Sequence, residues 1–285
     1  MRVRFWGTRG SIAKPGPSAE RRSPAGVLRL GAVSYLNAEP SVHGLEREPG
    51  FRIERDVPSR VAERLHAGEV DLGLVPSIEY AFGRYAIVPG VAIASRGPVR
   101  SVCLFHRGPL ERVRRVALDT SSRASAGLVR VLLHARLGRN PEYVPMAPGL
   151  EAMLAAADAA LLIGDPALDV ESDVARLDLG EEWTRLTGLP FVYAFWAGPA
   201  GAVGPPGVKR LQQALASGLE SLGEIAERQA HGDPARAARY EAYLRDSIVY
   251  RLGEAEQAGL LEFFRRAKAL ALVPAVPELR FHEQD

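Results

Sequence analysis

From Leu28 onward the sequence is built of short apolar runs that each break into a polar turn and then a helix-like segment, and this alternation restricts the chain to few folds. The first run, Leu28 to Ser34, gives way to a turn at Asn37 to Pro40. An alternating segment, Phe51 to Val57, meets a helix start at Pro58-Ser59, where Val61, Ala62 and Leu65 share one face and Gly68 ends the helix. The next run, Val70 to Val75, enters Pro76-Ser77. Strands alternating with helices predict a parallel sheet covered on both faces, with ligands gathered at the carboxyl ends of the strands.

Two extended stretches follow, Val91 to Ser95 and Val99 to Phe105, and then a strand from Val113 to Leu118 that opens into Asp119-Thr120-Ser121-Ser122. The helix after it, with Leu128, Val131, Leu132 and Leu137 on one face, stops near Gly138. A strand from Ala159 to Ile163 ends in Gly164-Asp165-Pro166, the run Phe191 to Trp196 comes next, and three helical segments finish the pattern near Leu272. The fold class expected is α/β with two lobes and a cleft between them. Residues 26–98 form the first part of lobe 1, residues 99–197 form lobe 2 with crossing strands near both ends, and residues 198–285 supply C-terminal helices that return to lobe 1. Residues 1–25 lack this periodicity and form an appendage.

Composition removes several classes of function. With 285 residues and 47% apolar content the chain can bury an ordinary core without staples. The single cysteine, Cys103, has no Cys or His companions at metal-ligand spacing and reads as a buried apolar thiol. A net charge of +2 is too small to imply nucleic-acid binding, although Arg96 to Arg139 is locally basic, either as a solvated helix face or as a steering field for an anion. The most apolar region, Leu150 to Val170, is broken by Glu151, Asp158 and Asp165, so no membrane partner is expected. Arg2, Arg4 and Arg9 interrupt any signal-peptide core, and a cytoplasmic location is expected. Phosphate loops, helical two-His zinc motifs and nucleophile elbows do not occur in the sequence. The six histidines are scattered; His43, close behind the Asn37 turn, is the one worth testing as a base.

What recurs is neutral hydroxyl and amide groups at strand ends: Ser34, Tyr35 and Asn37; Ser77; Ser95 and Ser101; Thr120, Ser121, Ser122 and Ser125. Each taken alone is equally a helix cap. Four such clusters at successive strand ends favour a shared pocket, one suited to holding carboxylates with hydroxyls and helix N-terminal amides. The ligand expected is a small organic acid.

The stretches Ser34-Tyr35-Leu36-Asn37-Ala38-Glu39-Pro40, Asp71-Leu72-Gly73-Leu74-Val75-Pro76-Ser77, Ser95-Arg96-Gly97-Pro98-Val99-Arg100-Ser101, Leu118-Asp119-Thr120-Ser121-Ser122-Arg123, Ile163-Gly164-Asp165 and Leu186-Thr187-Gly188-Leu189-Pro190-Phe191-Val192 together resemble the chorismate dehydratase family of the futalosine route to menaquinone. The resemblance spans about Leu28 to Leu272. It implies a type II periplasmic-binding-protein-like fold and the conversion of chorismate to 3-[(1-carboxyvinyl)oxy]benzoate and water, without metal or organic cofactor. Met1 to Gly16 departs from that family and looks like the opening of metallo-β-lactamase-fold hydrolases. The His-x-His-x-Asp-His cluster of those enzymes is missing from the sequence, so no metal site is expected there.

On this reading Asn37 is the catalytic candidate, orienting the substrate and its leaving hydroxyl while a carboxylate of chorismate itself takes the ring proton. The substrate-binding candidates are Tyr35, Ser77, Ser95, Gly97, Ser101, Thr120, Ser121, Ser122, Ser125, Gly164 and Asp165, the two glycines letting backbone amides approach the ligand. Asp165 would repel a dianion if unpaired, and so caps a turn or bonds a neighbour instead. Two rivals stand beside this reading: the 1,4-dihydroxy-6-naphthoate synthase of the same pathway, and a non-catalytic solute-binding protein for a small acid. The expected assembly is a monomer or homodimer.

Overall fold

The computed structural model describes residues 26–284; the appendage and its Met1–Gly16 opening lie outside the described residues. In chain order the elements are β1 (Leu28–Val33), β2 (Phe51–Asp56), α1 (Pro58–His66), β3 (Leu72–Pro76), β4 (Tyr85–Ile87), β5 (Ile93–Ser95), β6 (Val102–His106) and β7 (Arg115–Asp119). They continue with α2 (Arg123–Leu137), β8 (Glu142–Met146), α3 (Leu150–Ala156), β9 (Ala159–Ile163), α4 (Asp165–Asp169), β10 (Ala175–Asp178), α5 (Leu179–Thr187) and β11 (Phe191–Pro199). Four helices close the chain: α6 (Pro205–Glu220), α7 (Leu222–Gln229), α8 (Pro234–Asp246) and α9 (Glu254–Ala269).

The local chemistry explains most of these boundaries. Pro58 starts α1, where a missing N–H costs nothing, and Val61, Ala62 and Leu65 bury its inner face. Ser122 caps α2 by accepting from the Ser125 N–H, worth about 1 kcal/mol, and Gly138 ends the helix at a left-handed φ of 63°. Between α6 and α7 the chain leaves the helical conformation at Ser221, which splits one of the three expected C-terminal helices and gives four.

The described residues form two sheets, and both are mixed rather than wholly parallel. The first has the order β2-β1-β3-β11-β4, with β5 also on β11; β1, β2 and β3 run parallel, and β11 runs antiparallel to β3, β4 and β5. The second has the order β10-β6-β9-β7-β8, with β6 antiparallel to both β9 and β10. The departure from a parallel sheet has one physical source. β6 and β11 each enter their sheet from the other lobe, so the right-handed βαβ rule, which governs successive strands of one sheet, does not fix their direction.

The three central strands of the second sheet, β6, β9 and β7, are buried on both faces, and their side chains alternate between two clusters. Leu104, Val116, Leu118, Leu161 and Ile163 join the main core, which runs through both lobes, while Cys103, Phe105, Ala117, Ala160 and Leu162 pack in a smaller cluster under α3 and α4. Burial drives the Cys103 thiol up to about 12, which makes it inert as a nucleophile.

The chain passes from the first sheet to the second between Ser95 and Val102 and returns between Thr187 and β11. Asp178 fastens the first passage to the start of α5. Its Oδ1 accepts from Val99 N–H (3.0 Å) and caps α5 through Gly180 N–H (2.9 Å), and its Oδ2 accepts from Arg100 N–H (2.6 Å). The carboxyl ends of β1, β3, β7 and β9 therefore face one another across the space between the sheets.

Candidate active site

A cavity between the sheets is lined by Val33, Pro58, Pro76, Ile93, Val99, Val102, Ile163 and Ala194 as its apolar wall. The polar lining is Tyr35, Asn37, Ser101, Ser122, Ser125, Gly164 and Tyr193. Its charge character is set by what these groups are: neutral hydroxyls, one carboxamide and backbone. α1 and α2 begin at this cavity, so the positive ends of two helix dipoles bear on it. The arrangement suits a small acid with an apolar ring. The lobes stand closed on each other and leave a small open volume of about 40 Å³.

Cross-lobe contacts hold that closure. The Leu36 N–H donates to Asp165 Oδ1 at 3.0 Å, the Ser59 N–H donates to Ser121 O at 2.9 Å, and Arg123 at the start of α2 reaches Glu63 (2.8 Å) and buried Glu79 (3.1 Å) on the other lobe. The Tyr35 ring lies against Gly164, where a Cβ would sit 2.8 Å from it.

Six of the expected site residues line the cavity: Asn37, Tyr35, Ser101, Ser122, Ser125 and Gly164. Others brace it. Ser121 bonds the Tyr35 hydroxyl and Asp119, and its N–H donates to Asp119 Oδ1 at 2.8 Å. Burial, opposed by the Ser121 hydrogen bond, drives the Tyr35 phenol up to about 12. Burial likewise raises the Asp119 carboxyl against the hydrogen bonds from Ser121 and Ile163. Ser95 is fully buried and bonds the Tyr193 hydroxyl at 3.0 Å, and the Gly97 N–H is taken by Thr184 Oγ1 at 2.9 Å. The Gly164 N–H is likewise taken, by Ser101 O at 2.8 Å. Ser77 is buried behind Pro76, and its hydroxyl has no partner among the described residues. Thr120 is exposed, outside the lining, and His43 is half-buried at the end of the turn Leu36–Val42, also outside it.

Tyr193 and Tyr243 are the site residues that strand-end reasoning does not reach. Tyr193 lies within the apolar run of β11, and Tyr243 comes from α8, far along the chain; both are buried, with their phenols pushed well above the ordinary value by desolvation. A second, larger hollow of about 390 Å³ lies on the outside between α7 and α8. Its Glu227, Asp233 and Glu241 give it the wrong sign for an acid. Among the described residues no group of three or more His, Cys, Asp or Glu could hold a metal ion, and no helix is long and apolar enough to cross a membrane.

Asp165 is the titrating group of this region. Desolvation raises its carboxyl to about 6, opposed by the Leu36 N–H and helped by Asp169 and Glu39. A raised carboxyl binds its proton more tightly in the folded state, so stability falls as pH rises from the ordinary value near 4 to about 6 and is level above it. Asp165→Asn keeps an oxygen for Leu36 and removes the charge. The variant should match wild type in denaturant midpoint near pH 4 and exceed it at pH 7, with a ceiling of ~3 kcal/mol. A gap that stays constant from pH 4 to 7 would show that the carboxylate is not the group responsible.

The two α/β lobes, the chain passages between them and the cleft define the periplasmic-binding-protein class of fold. Solved structures agree: the periplasmic aliphatic sulphonate-binding protein SsuA of Escherichia coli superposes with a TM-score of 0.62 at 19% identity, covering 92% of this chain and 95% of its own. A protein from Archaeoglobus fulgidus does so at 0.65 and 17%, covering 87% and 99%. Within that class, residues 28–269 match the family described as menaquinone biosynthesis. A Thermus thermophilus protein named chorismate dehydratase is 35% identical over 264 residues, which cover 85% of this chain and 95% of that one. The chain belongs to the menaquinone biosynthesis family.

Proposed function

We propose that this chain is a chorismate dehydratase, a hydro-lyase that converts chorismate to 3-[(1-carboxyvinyl)oxy]benzoate and water on the futalosine route. The observation that carries the reading is the closed cleft with Asn37 and three serines facing an apolar wall, together with the 35% identical relative of that name.

The reaction breaks a ring C–H bond and the neighbouring C–O bond. The C–H electron pair becomes a ring double bond, the hydroxyl leaves with a proton as water, and the ring becomes aromatic. Because aromaticity drives the step, the protein has mainly to orient the substrate and assist proton movement. The apolar wall of Val33, Ile93, Val99 and Ile163 excludes water from the ring. Ser101, Ser122 and Ser125, with the start of α2, hold carboxylate, and Asn37 orients the leaving hydroxyl. With no histidine or free carboxylate in the lining, a carboxylate of the substrate is the base. Sites for small molecules occupy about 300 Å³ and upward, so the lobes part to admit substrate and the Arg123, Ser59 and Leu36 contacts re-form on closing. The enzyme acts in the cytoplasm as a monomer or homodimer, without a nucleic-acid or membrane partner; the net charge of +2 supports the absence of a nucleic-acid partner.

Incubating the purified protein with chorismate and following the aromatic product by absorbance and chromatography tests the reading. Turnover is expected. Binding without conversion would replace it with a solute-binding protein, and indifference to chorismate with the naphthoate synthase of the same pathway.

A further inference from the structure

Among the described residues, three other than glycine have a left-handed backbone: Arg100, His231 and Ala271. His231 and Ala271 follow the ends of α7 and α9, where such a residue closes a helix. Arg100 follows no helix. It stands on the first passage between the sheets with φ 63°, and across it the Ser101 N–H donates back to Val99 O at 2.8 Å. This three-residue turn is the rare γ form, strained for any residue with a Cβ. Glycine would adopt it without strain, so an arginine there has to be held.

Asp178 holds it. From the end of β10 its carboxylate reaches both N–H groups that lead into the turn: Oδ2 accepts from Arg100 at 2.6 Å and Oδ1 from Val99 at 3.0 Å. Such bonds to a carboxylate are charge-assisted and stronger than those between neutral groups. Asp178 is itself fixed, because it pairs with Cys103 of β6 and its Oδ1 caps α5 through the N–H groups of Gly180 and Glu181. Cys103 completes the clamp by donating its thiol hydrogen to Arg100 O at 3.3 Å.

The turn bears directly on the cavity. Val99 and Ser101, on either side of Arg100, both line it, while Arg100 itself is exposed. Ser101 O accepts from the Gly164 N–H, so the turn also supports a lining residue of the facing strand end. The Ser101 hydroxyl lies 2.7 Å from that of Tyr243; accepting from this phenol leaves the Ser101 proton for a carboxylate.

We propose that Asp178 is a positioning residue, which holds Arg100 in its strained turn and so aims the Ser101 hydroxyl at a carboxylate of the substrate. This inference rests on the dehydratase reading for its kinetic arm and on backbone and hydrogen-bond geometry alone for its structural arm. Asp178→Asn separates the turn from the cap, since it keeps one oxygen for α5 and sets an NH2 group against the Arg100 N–H.

In the kinetic arm, KM for chorismate rises about ten-fold in Asp178→Asn while kcat stays within about two-fold, because ground state and transition state lose the same contact. In the Ser101→Ala background the same change adds nothing to KM, because Asp178 acts through Ser101. An unchanged KM, or an equal rise in both backgrounds, would overturn the proposal. Should Asp178→Asn fail to fold, Arg100→Pro breaks the turn from its other side, by fixing φ near about −65° and removing the N–H, and leaves the α5 cap in place. It should show the same KM rise and the same non-additivity with Ser101→Ala. The structural arm needs no turnover. Arg100→Gly raises the denaturant midpoint of the otherwise wild-type chain, since glycine enters the turn without strain. In the Asp178→Asn background, where the turn is released, the gain shrinks or reverses. A fall in the first case, or an equal gain in both, would overturn the proposal. If the wild type leaves chorismate untouched while the midpoints behave as stated, the dehydratase reading fails and the clamped turn stands.

Discussion

Replacing Asn37 by alanine is expected to lower kcat for chorismate by about 100-fold or more, the loss typical when one donor aimed at developing charge is removed, with a much smaller change in KM. The expectation follows from what else the cavity offers. Ser122 and Ser125 are hydrogen-bonded to each other at 3.2 Å and sit at the start of α2, where they can hold carboxylate, and Tyr193 is engaged with Ser95. Asn37 is the one carboxamide in the lining, on a turn whose neighbours Leu36 and Ala38 are buried and hold its backbone in place. Alanine keeps that turn, because the Ala38 N–H still donates to Tyr35 O at 2.9 Å. Stability should therefore change by less than about 1 kcal/mol. Steady-state rates with a parallel melting curve make the test. Near-normal turnover by a variant that still binds substrate would remove Asn37 from the orienting role.

The parts of this picture that sequence reveals are those set by local chemistry. Pro58 at the first helical position, the Ser122 cap and Gly138 at the end of α2 are signals read within one turn of chain, and the structure has the helices there. The unbroken apolar runs of β9 and β11 announce burial on both faces, and both strands are buried along nearly their whole length. Short strands of mixed polarity escape notice. β8, Glu142–Met146, carries Pro145 and pairs on one side alone, with β7, and β10 has only four residues, two of them exposed. Strand direction escapes too, because the antiparallel placement of β6 and β11 depends on where the chain changes lobes.

The site divides along the same line. Tyr35, Asn37, Ser101, Ser122, Ser125 and Gly164 stand out as polar or glycine positions breaking an apolar pattern. Tyr193 and Tyr243 do not, since a phenol in a buried strand or helix reads as one more aromatic. Whether a strand-end hydroxyl faces the ligand or braces a neighbour is also decided in three dimensions. Ser121 and Ser122 are adjacent, yet one is spent on Tyr35 and Asp119 and the other lines the cavity.

Gly164→Ala should damage both the fold and the site, through two separable causes. Gly164 has φ 66° and ψ −150°, a region closed to residues with a Cβ, and alanine there costs about 1–3 kcal/mol in backbone strain. The added Cβ would also meet the Tyr35 ring at 2.8 Å, and Tyr35 cannot retreat without leaving Ser121. Relief by turning the backbone is no easier. It would pull the Gly164 N–H from Ser101 O and swing Asp165 away from Leu36, parting the lobes at the contact nearest Asn37. The variant should lose about 2–4 kcal/mol in chemical denaturation, and KM for chorismate should rise by about ten-fold or more as closure becomes costly. The double variant Tyr35→Ala/Gly164→Ala removes the clash and keeps the strain. Its stability relative to Tyr35→Ala alone gives the backbone part, expected at about 1–3 kcal/mol. A single Gly164→Ala variant with wild-type stability and KM would mean that the lobes do not close on Tyr35 and Gly164 in solution, and the closed cleft could not then be the form that binds substrate.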